Sequence, residues 1–188
     1  LSLFFCSYPL IFKSNSLKQI FGIGILFRLI FLLSTPLLSQ DFFRFLWDGM
    51  LLSNGLNPYE ATPDLLNQTA PLFSTPISQE LYKGMGVLSA EHYSNYPPIN
   101  QLGFYLASII GGNSILANII SIRVLLILSD LGIFWFGIKL LDYLNRSKKR
   151  IGLYFLNPLI IVELTGNLHW EGFMVFFFIF GLYLIFVK

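Results

Sequence analysis

The sequence contains little charge and almost no cysteine or histidine. Only 12% of its 188 residues are Asp, Glu, Lys or Arg, and it has one cysteine, Cys6, and two histidines. A single cysteine cannot form an internal disulfide, and no zinc or haem spacing occurs. Soluble domains typically carry about 25% charged residues. The net charge of +2 is small and the basic residues cluster at loops, so we expect no nucleic-acid partner.

Apolar residues are correspondingly abundant. They account for 55% of the chain, which includes 20 phenylalanines, and the mean hydropathy is +0.68. A soluble fold of this length could not bury that much apolar surface, whereas lipid accommodates it. The sequence therefore predicts an all-α membrane protein, a polytopic bundle of transmembrane helices. Since the chain begins at Leu1 and ends at Lys188 just as an apolar segment ends, we also expect a fragment of a longer protein.

The apolar stretches predict the spans, because about 20 helical residues cross the hydrocarbon core. Residues 1–12 are expected to be the end of an earlier span. Full spans are predicted over residues 19–38, 119–143, 151–166 and 172–187. Pro158 interrupts the pattern of the third of these spans. Residues 39–118 form a long polar-rich outer loop. Within it, residues 41–54 predict a helix lying in the membrane interface, and residues 98–111 predict an interfacial or re-entrant helix aimed by the stiff turn Tyr96-Pro97-Pro98.

The basic residues set the predicted orientation. Seven of them fall at one set of span ends, whereas the region 39–118 has only Arg44 and Lys83. Because cytoplasmic loops carry the excess of Lys and Arg, we expect the basic loop 145–150 inside. Residues 39–118 and 166–171 are then both outside.

The first candidate site is the set Asp41, Arg44 and Asp48, which helical spacing puts on one face. A carboxylate there can take a proton from an acceptor hydroxyl, and an arginine can bind a lipid phosphate. The alternative is that both acids are simply solvated, with Asp41 favoured by the helix dipole.

The second candidate is the segment Asn167-Leu168-His169-Trp170-Glu171. His169 and Glu171 are candidates for a shared site with Asp41, or for holding a divalent cation, although two residues do not define a metal site. The alternative is a satisfied buried pair near a helix start, with Asn167 as the cap of the last span.

Ionisable residues also lie within the predicted spans, namely Arg28, Asp130 and Glu163. Charged groups at that depth cost roughly 2.5–3.5 kcal/mol each, so they usually pair or face a cavity. We predict an interior ion pair between Arg28 and Asp130.

The motifs together resemble a known family. The run from Ser39 to Gly49, followed by Asn54-Gly55-Leu56-Asn57-Pro58-Tyr59, is similar to the first outer loop of glycosyltransferases of the GT-C fold that use polyprenol-phosphate sugars. The likeness is to bacterial mannosyltransferases of the flavobacterial type, which are related to the glycolipid-anchor mannosyltransferases. Tyr96-Pro97-Pro98, Asn157-Pro158 and the segment 166–172 recur there in the same order. The likeness covers nearly the whole chain, but only about the N-terminal half of such an enzyme.

The resemblance implies roles for individual residues. Asp41 would be the catalytic base, Arg44 would contact the donor phosphate, with Arg123 as a further candidate, and Glu171 would be a second acidic group. From their positions we also expect Asp48, Asn167 and His169 to support substrate binding. Relatives often carry two adjacent acids where this chain has Gln40-Asp41, which puts a metal-binding role of the first acid in doubt. The resemblance implies no defined cofactor, and a divalent metal ion is the candidate.

The expected function is transfer of a sugar, mannose by resemblance, from a polyprenyl-phosphate donor to a hydroxyl of a glycan or lipid acceptor. The expected location is the bacterial inner membrane, among membrane lipids, with the active site facing outside. We also predict that Asp41, Arg44 and Glu171 converge around one outer cavity. The alternatives are a transporter or flippase of a lipid-linked sugar, which would concentrate polar groups at the midplane, and a non-catalytic membrane scaffold.

Overall fold

The protein is built of helices joined by turns. A computed structural model describes residues 16–69 and 71–188, and no β-strand occurs in those ranges. The α-helices run, in order, α1 Leu17–Ile30, α2 Asp41–Ser53, α3 Pro63–Thr69, α4 Pro76–Ala90, α5 Pro98–Gly111, α6 Ile115–Tyr143, α7 Gly152–Phe155, α8 Pro158–Ile160 and α9 Glu171–Phe186. Two 3-10 helices cover Pro71–Ser74 and Lys148–Ile151, and a π-helix covers Ile161–Gly166. The expected earlier span at 1–12 lies outside the described residues.

The chain divides into two units. The terminal unit comprises Leu1–Ser34 and Arg123–Lys188, and the central unit comprises Thr35–Ile122. The terminal unit contains α1, most of α6 and α7–α9, whereas the central unit contains α2–α5. The candidate site residues are therefore divided between two units.

The core of the terminal unit joins α1, α6 and the segment around α7. Ile20, Phe134, Ile151, Phe155 and Leu156 form its buried cluster. The rings of Phe134 and Phe155 lie 4.7 Å apart. Such aromatic contacts add to the free energy gained from burying apolar area.

The predicted ion pair between Arg28 and Asp130 is confirmed. Arg28 Nε lies 2.7 Å from Asp130 Oδ2, and the two side chains are 0% and 2% exposed. Arg28 Nη1 also donates to the carbonyl oxygens of Gly24 and Phe155. The Tyr154 hydroxyl donates to the other Asp130 oxygen at 2.6 Å. The pair therefore links α1, α6 and α7.

The first predicted span is helical over a shorter range than expected. Helix α1 has 14 residues and begins with a capping box between Ser16 and Gln19, which makes it about 21 Å long. It ends at Ile30, where the chain tightens into turns and Ser34 Oγ donates to the Phe31 carbonyl. Pro36 adds to the break, because the residue before a proline avoids the helical region. A membrane crossing by all of residues 19–38 stays a prediction.

Helix α6 matches the second predicted span and extends it at the N-terminal side. Its 29 residues are apolar enough to cross a membrane, and among the described residues it alone meets that test as a single helix. The stretch from α8 through the π-helix meets it together with α9, the two bent by 114°. One or two crossings are thus supported, and the polytopic bundle remains a prediction.

The stretch 151–166 is broken, as the proline predicted. Helix α7 ends at Phe155, the Asn157 side chain caps α8 by accepting from the Leu159 amide, and Pro158 opens α8. The chain then widens into the π-helix. Helix α9 matches the last predicted span to within one residue at each end.

In the central unit, α2 packs mainly on α5 and α4. Gly49 allows the close contact with α5, since an added Cβ would overlap the Phe104 carbonyl oxygen. Four large side chains of α2, namely Phe42, Phe45, Leu46 and Trp47, are buried. These four side chains of the helix predicted to lie in the membrane interface therefore belong to a protein core.

Candidate functional site

A polar cavity of about 370 Å³ opens where α2 begins. The end of α4 and the segment leading to α5 complete its wall. It is lined by Gln40, Asp41, Arg44, Leu88, Ser89, His92, Tyr93, Ser94, Asn95 and Tyr96. All these residues belong to the central unit, so the cavity is formed within one unit. Both Asp41 and Arg44, predicted from the sequence, line it.

Asp41 is the first residue of α2 and is exposed. Its backbone amide donates to Ser39 Oγ at 3.2 Å, and a negative charge is favoured at a helix N-terminus. No hydrogen bond or ion pair of its carboxylate occurs with any residue that the structure describes. The Asp41 carboxylate is thus available to a molecule in the cavity.

Arg44 and Asp48 form a buried ion pair one helical turn apart. Arg44 Nε lies 2.8 Å from Asp48 Oδ1, and the two side chains are 4% and 0% exposed. Arg44 Nη1 donates to the carbonyl oxygens of Ser89 at 2.6 Å and His92 at 2.9 Å. The third nitrogen, Nη2, is buried and has no hydrogen-bond partner among the described residues. Asp48 is fully buried and does not line the cavity, and its carboxylate binds Arg44; a role of Asp48 in substrate binding stays a prediction.

Two residues that the sequence reasoning missed complete this arrangement. Ser94 Oγ donates to Asp48 Oδ2 at 2.5 Å, and Gln101 Nε2 donates to the same oxygen at 2.8 Å. Both side chains are buried. The available signal was their position, because they flank the Tyr96-Pro97-Pro98 turn and Gln101 is one of two amide residues in the first turn of α5.

The kink in α4 brings its end close to the start of α2. Gly86 adopts φ +73° and ψ 165° inside the helix. An added Cβ there would lie 2.9 Å from Gln40 Nε2, next to Asp41. Only glycine adopts this backbone without strain, so Gly86 allows the wall of the cavity to fold against Gln40.

The Asn57-Pro58-Tyr59 motif holds the part of the cavity wall that contains Tyr96. The Tyr59 hydroxyl donates to the Tyr96 carbonyl oxygen at 2.5 Å. Burial, and then the negative charge of Asp48, raise the pKa of Tyr59, while a hydrogen bond from Gln101 acts in the opposite direction. The hydroxyl therefore keeps its proton at neutral pH and remains a donor. The Tyr96 ring packs edge-on against Phe45.

Arg123 belongs to the terminal unit, and its side chain is fully buried there. It donates from Nε to the Thr165 carbonyl at 2.8 Å, from Nη2 to the Gly166 carbonyl at 3.1 Å, and from Nη1 to the Leu32 carbonyl at 2.9 Å. The last carbonyls of a helix lack intrahelical partners, and Arg123 satisfies two of them at the end of the π-helix. All three guanidinium nitrogens therefore donate to backbone carbonyl oxygens.

The segment after the π-helix holds the other predicted residues. Asn167 Nδ2 donates to Glu163 Oε2 at 3.2 Å, and His169 Nδ1 lies 3.7 Å from the same oxygen. The residue at the cap position of α9 is Trp170 rather than the expected Asn167. Leu168 adopts φ +63°, which is strained for a branched side chain. Glu171 opens α9 and is exposed.

The structure thus brings Asp41 and Arg44 together at one cavity, with Asp48 beneath them. Glu171, His169, Asn167 and Arg123 lie in the terminal unit, and their predicted convergence with Asp41 stays a prediction. Within residues 16–69 and 71–188, no group of three or more His, Cys, Asp or Glu side chains is placed to share a metal ion.

Comparison with known proteins gives the family. The model described as "Alpha-(1->6)-mannopyranosyltransferase, N-terminal domain" matches residues 5–188. Alpha-(1->6)-mannopyranosyltransferase A of Mycobacterium tuberculosis is 26% identical over 150 residues, which cover 77% of this chain and 26% of that protein. Alpha-(1->6)-mannopyranosyltransferase B of Corynebacterium glutamicum is 26% identical over 153 residues, which cover 80% of this chain and 24% of that protein.

The chain therefore spans about a quarter of the length of the curated relatives that it matches. No solved structure matches it significantly. The family model covers nearly all of the sequence, including every candidate site residue. This chain belongs to the family of N-terminal domains of alpha-(1->6)-mannopyranosyltransferases.

Proposed function

We propose that the chain is the catalytic N-terminal part of an inverting membrane mannosyltransferase. The enzyme transfers mannose from a polyprenyl-phosphate donor to a hydroxyl of a glycan or lipid acceptor. The relatives' names supply the sugar. The observation that carries the proposal is the cavity of the central unit, which combines an exposed carboxylate, Asp41, with a buried guanidinium, Arg44, that has an unused donor.

Asp41 is the proposed catalytic base. In an in-line displacement, the acceptor oxygen forms a bond to the anomeric carbon while the bond from that carbon to the phosphate oxygen breaks. The acceptor hydroxyl's proton passes to the Asp41 carboxylate. The exposure of Asp41 and its lack of a partner among the described side chains favour this role over that of Asp48, whose carboxylate is buried and occupied.

Arg44 is the proposed ligand of the donor phosphate. A buried donor left unsatisfied costs about 1–3 kcal/mol, more when it is charged. A phosphate oxygen entering from the cavity would satisfy Nη2 and neutralise the charge that develops as the lipid phosphate departs. Because a lipid phosphate is a good leaving group, no strong general acid is needed.

Glu171 is proposed as a second acidic group of the site, with Asn167 and His169 as supports for substrate binding. Arg123 is proposed to act on them indirectly. Its bonds to the Thr165 and Gly166 carbonyls hold the turn that leads to these residues. A divalent metal ion is compatible with a Glu171 and His169 pair only if further ligands come from elsewhere.

The proposed location is the bacterial inner membrane, with the cavity on the outer face. Helix α6 is a candidate crossing, and it separates the loop 145–150, which has four basic residues, from the region 39–114, which has two. Single cysteines placed at Thr62 and Ser147 should therefore react with an impermeant reagent from opposite sides. Labelling from the same side would overturn this orientation.

The function is tested with the full-length protein reconstituted in lipid. It is given polyprenyl-phosphate mannose or nucleotide-diphosphate mannose, with and without a chelator. We expect mannosylated acceptor from the lipid-linked donor only. Product from the nucleotide donor alone would refute the proposed donor. Movement of the lipid-linked sugar across the bilayer without any product would establish the transporter instead.

A further inference from the structure

Asp48 is buried behind the cavity lining, and its carboxylate accepts three hydrogen bonds. Its Oδ1 accepts from Arg44 Nε at 2.8 Å, while its Oδ2 accepts from both Ser94 Oγ at 2.5 Å and Gln101 Nε2 at 2.8 Å. Gln101 Nε2 also donates to Ser94 Oγ at 2.8 Å, which closes a triangle. Burying a carboxylate is costly unless it is paired and hydrogen-bonded. Here one cation and two neutral donors meet that requirement.

The Asp48 carboxylate balances the charge of Arg44 and also fixes the orientation of its guanidinium group. A guanidinium is planar and rigid, with five N–H groups in a fixed fork. Nε is fixed by Asp48, and Nη1 is fixed by the carbonyls of Ser89 and His92. Once these two nitrogens are fixed, the position of Nη2 is determined, and Nη2 is the nitrogen without a partner among the described residues.

We infer that Asp48, Ser94 and Gln101 form a positioning network that holds Arg44 ready for the donor phosphate. This inference rests on the proposed function, which assigns Arg44 to that phosphate. The three residues come from α2, the segment before α5, and α5 itself. Three parts of the central unit therefore determine together where Arg44 Nη2 lies.

The neutral character of Ser94 and Gln101 supports a positioning role. A second cation beside Asp48 would also satisfy a buried carboxylate, but it would draw the carboxylate away from Arg44 Nε. Two neutral donors satisfy the Asp48 carboxylate and leave Arg44 as its single ionic partner.

The first test is kinetic and uses the full-length enzyme. Gln101→Leu and Ser94→Ala should each raise the KM for the lipid-linked donor by about 10-fold, the scale of one hydrogen bond to a charged group, while Ser94→Thr should restore it. The matched control is Ser108→Ala, which removes a hydrogen bond to Ser53 two turns further along α5. A structural role would instead lower the yield of folded enzyme and leave the KM unchanged.

The second test uses free guanidinium ion as the probe. In Arg44→Ala, millimolar guanidinium chloride should restore part of the lost transfer, because Asp48 and the two carbonyls can still bind the ion. In the double variant Arg44→Ala/Asp48→Asn, the same additive should restore nothing. Equal rescue of both variants would overturn the network.

The two failures are distinguishable. If Arg44→Ala binds the donor normally, the phosphate role proposed for Arg44 is wrong, and the network falls with it. If Arg44→Ala loses donor binding while Gln101→Leu and Ser94→Ala keep a normal KM, only the network is wrong.

Discussion

Replacing Asp130 with Asn should destabilise the terminal unit by about 3–5 kcal/mol, the usual cost of leaving one member of a buried ion pair alone. Arg28 and Asp130 are 0% and 1% exposed, so water cannot replace the lost charge. The substitution keeps the shape of the side chain and one oxygen for the Tyr154 hydroxyl, which now donates at 2.6 Å. Loss of the charge is therefore the main effect.

The magnitude follows from what remains around Arg28. Its Nη1 keeps the carbonyls of Gly24 and Phe155, at 3.0 and 2.8 Å, and the guanidinium stays 4.2 Å above the Phe155 ring. These neutral partners do not balance a buried positive charge. Removing both charges, in Arg28→Met with Asp130→Asn, should recover most of the loss, because no buried charge is then left unpaired and the Asn oxygen still accepts from the Tyr154 hydroxyl.

The assay is equilibrium unfolding in mild detergent as a double-mutant cycle. The control is Asp142→Asn, which breaks the pair of Lys148 and Asp142, whose side chains are 48% and 64% exposed. That control should cost less than about 1 kcal/mol. If the loss of unfolding free energy in the double variant equals the sum of the two single losses to within about 0.5 kcal/mol, Arg28 and Asp130 do not interact energetically, contrary to this prediction.

Other substitutions test the cavity wall and the arginine clamp. Arg123→Lys should lower the yield of folded protein, because one ammonium cannot reach the three carbonyls that the guanidinium now bonds; an unchanged yield and melting temperature would count against the clamp. Gly86→Ala should reduce transfer at least several-fold by straining a φ of +73° and crowding Gln40, a cost of order 1–3 kcal/mol; full transfer activity would argue against it. Tyr59→Phe should cost about 1 kcal/mol in unfolding free energy by deleting the bond to the Tyr96 carbonyl, and no change in a chemical denaturation curve would contradict this.

Local patterns predicted the long helices well. Helix α6 and the Arg28–Asp130 pair followed from an apolar run and from the high cost of isolated charge in lipid. The helical part of the first predicted span is shorter than the apolar run, because Pro36 lies within that run. Helix α1 accordingly ends at Ile30.

The surroundings of α2 could not be predicted from periodicity. A run of Phe, Leu and Trp looks the same whether it faces lipid or another helix. Here Phe45 stacks on Phe104 of α5, and Trp47 packs near Tyr82 of α4. Only the tertiary fold distinguishes the two environments.

The candidate site was predictable where charge marked it. Asp41, Arg44 and Asp48 share one helix, so their spacing was visible. Ser94 and Gln101 are uncharged, and they lie 46 and 53 residues from Asp48 along the chain. Such partners become visible only when the fold brings them to the buried carboxylate.

The proposed mechanism requires that Asp41 take the proton from the acceptor hydroxyl, and the turnover of the Asp41→Asn enzyme measures that step. The measurement uses the full-length protein with saturating polyprenyl-phosphate mannose. Its matched control is Glu80→Gln, an exposed acid on α4 that does not line the cavity. Turnover of Asp41→Asn should fall by roughly 10²–10⁴-fold, the scale of a lost general base, with unchanged yield and donor binding, while the control keeps normal turnover. Normal turnover of Asp41→Asn would contradict the account.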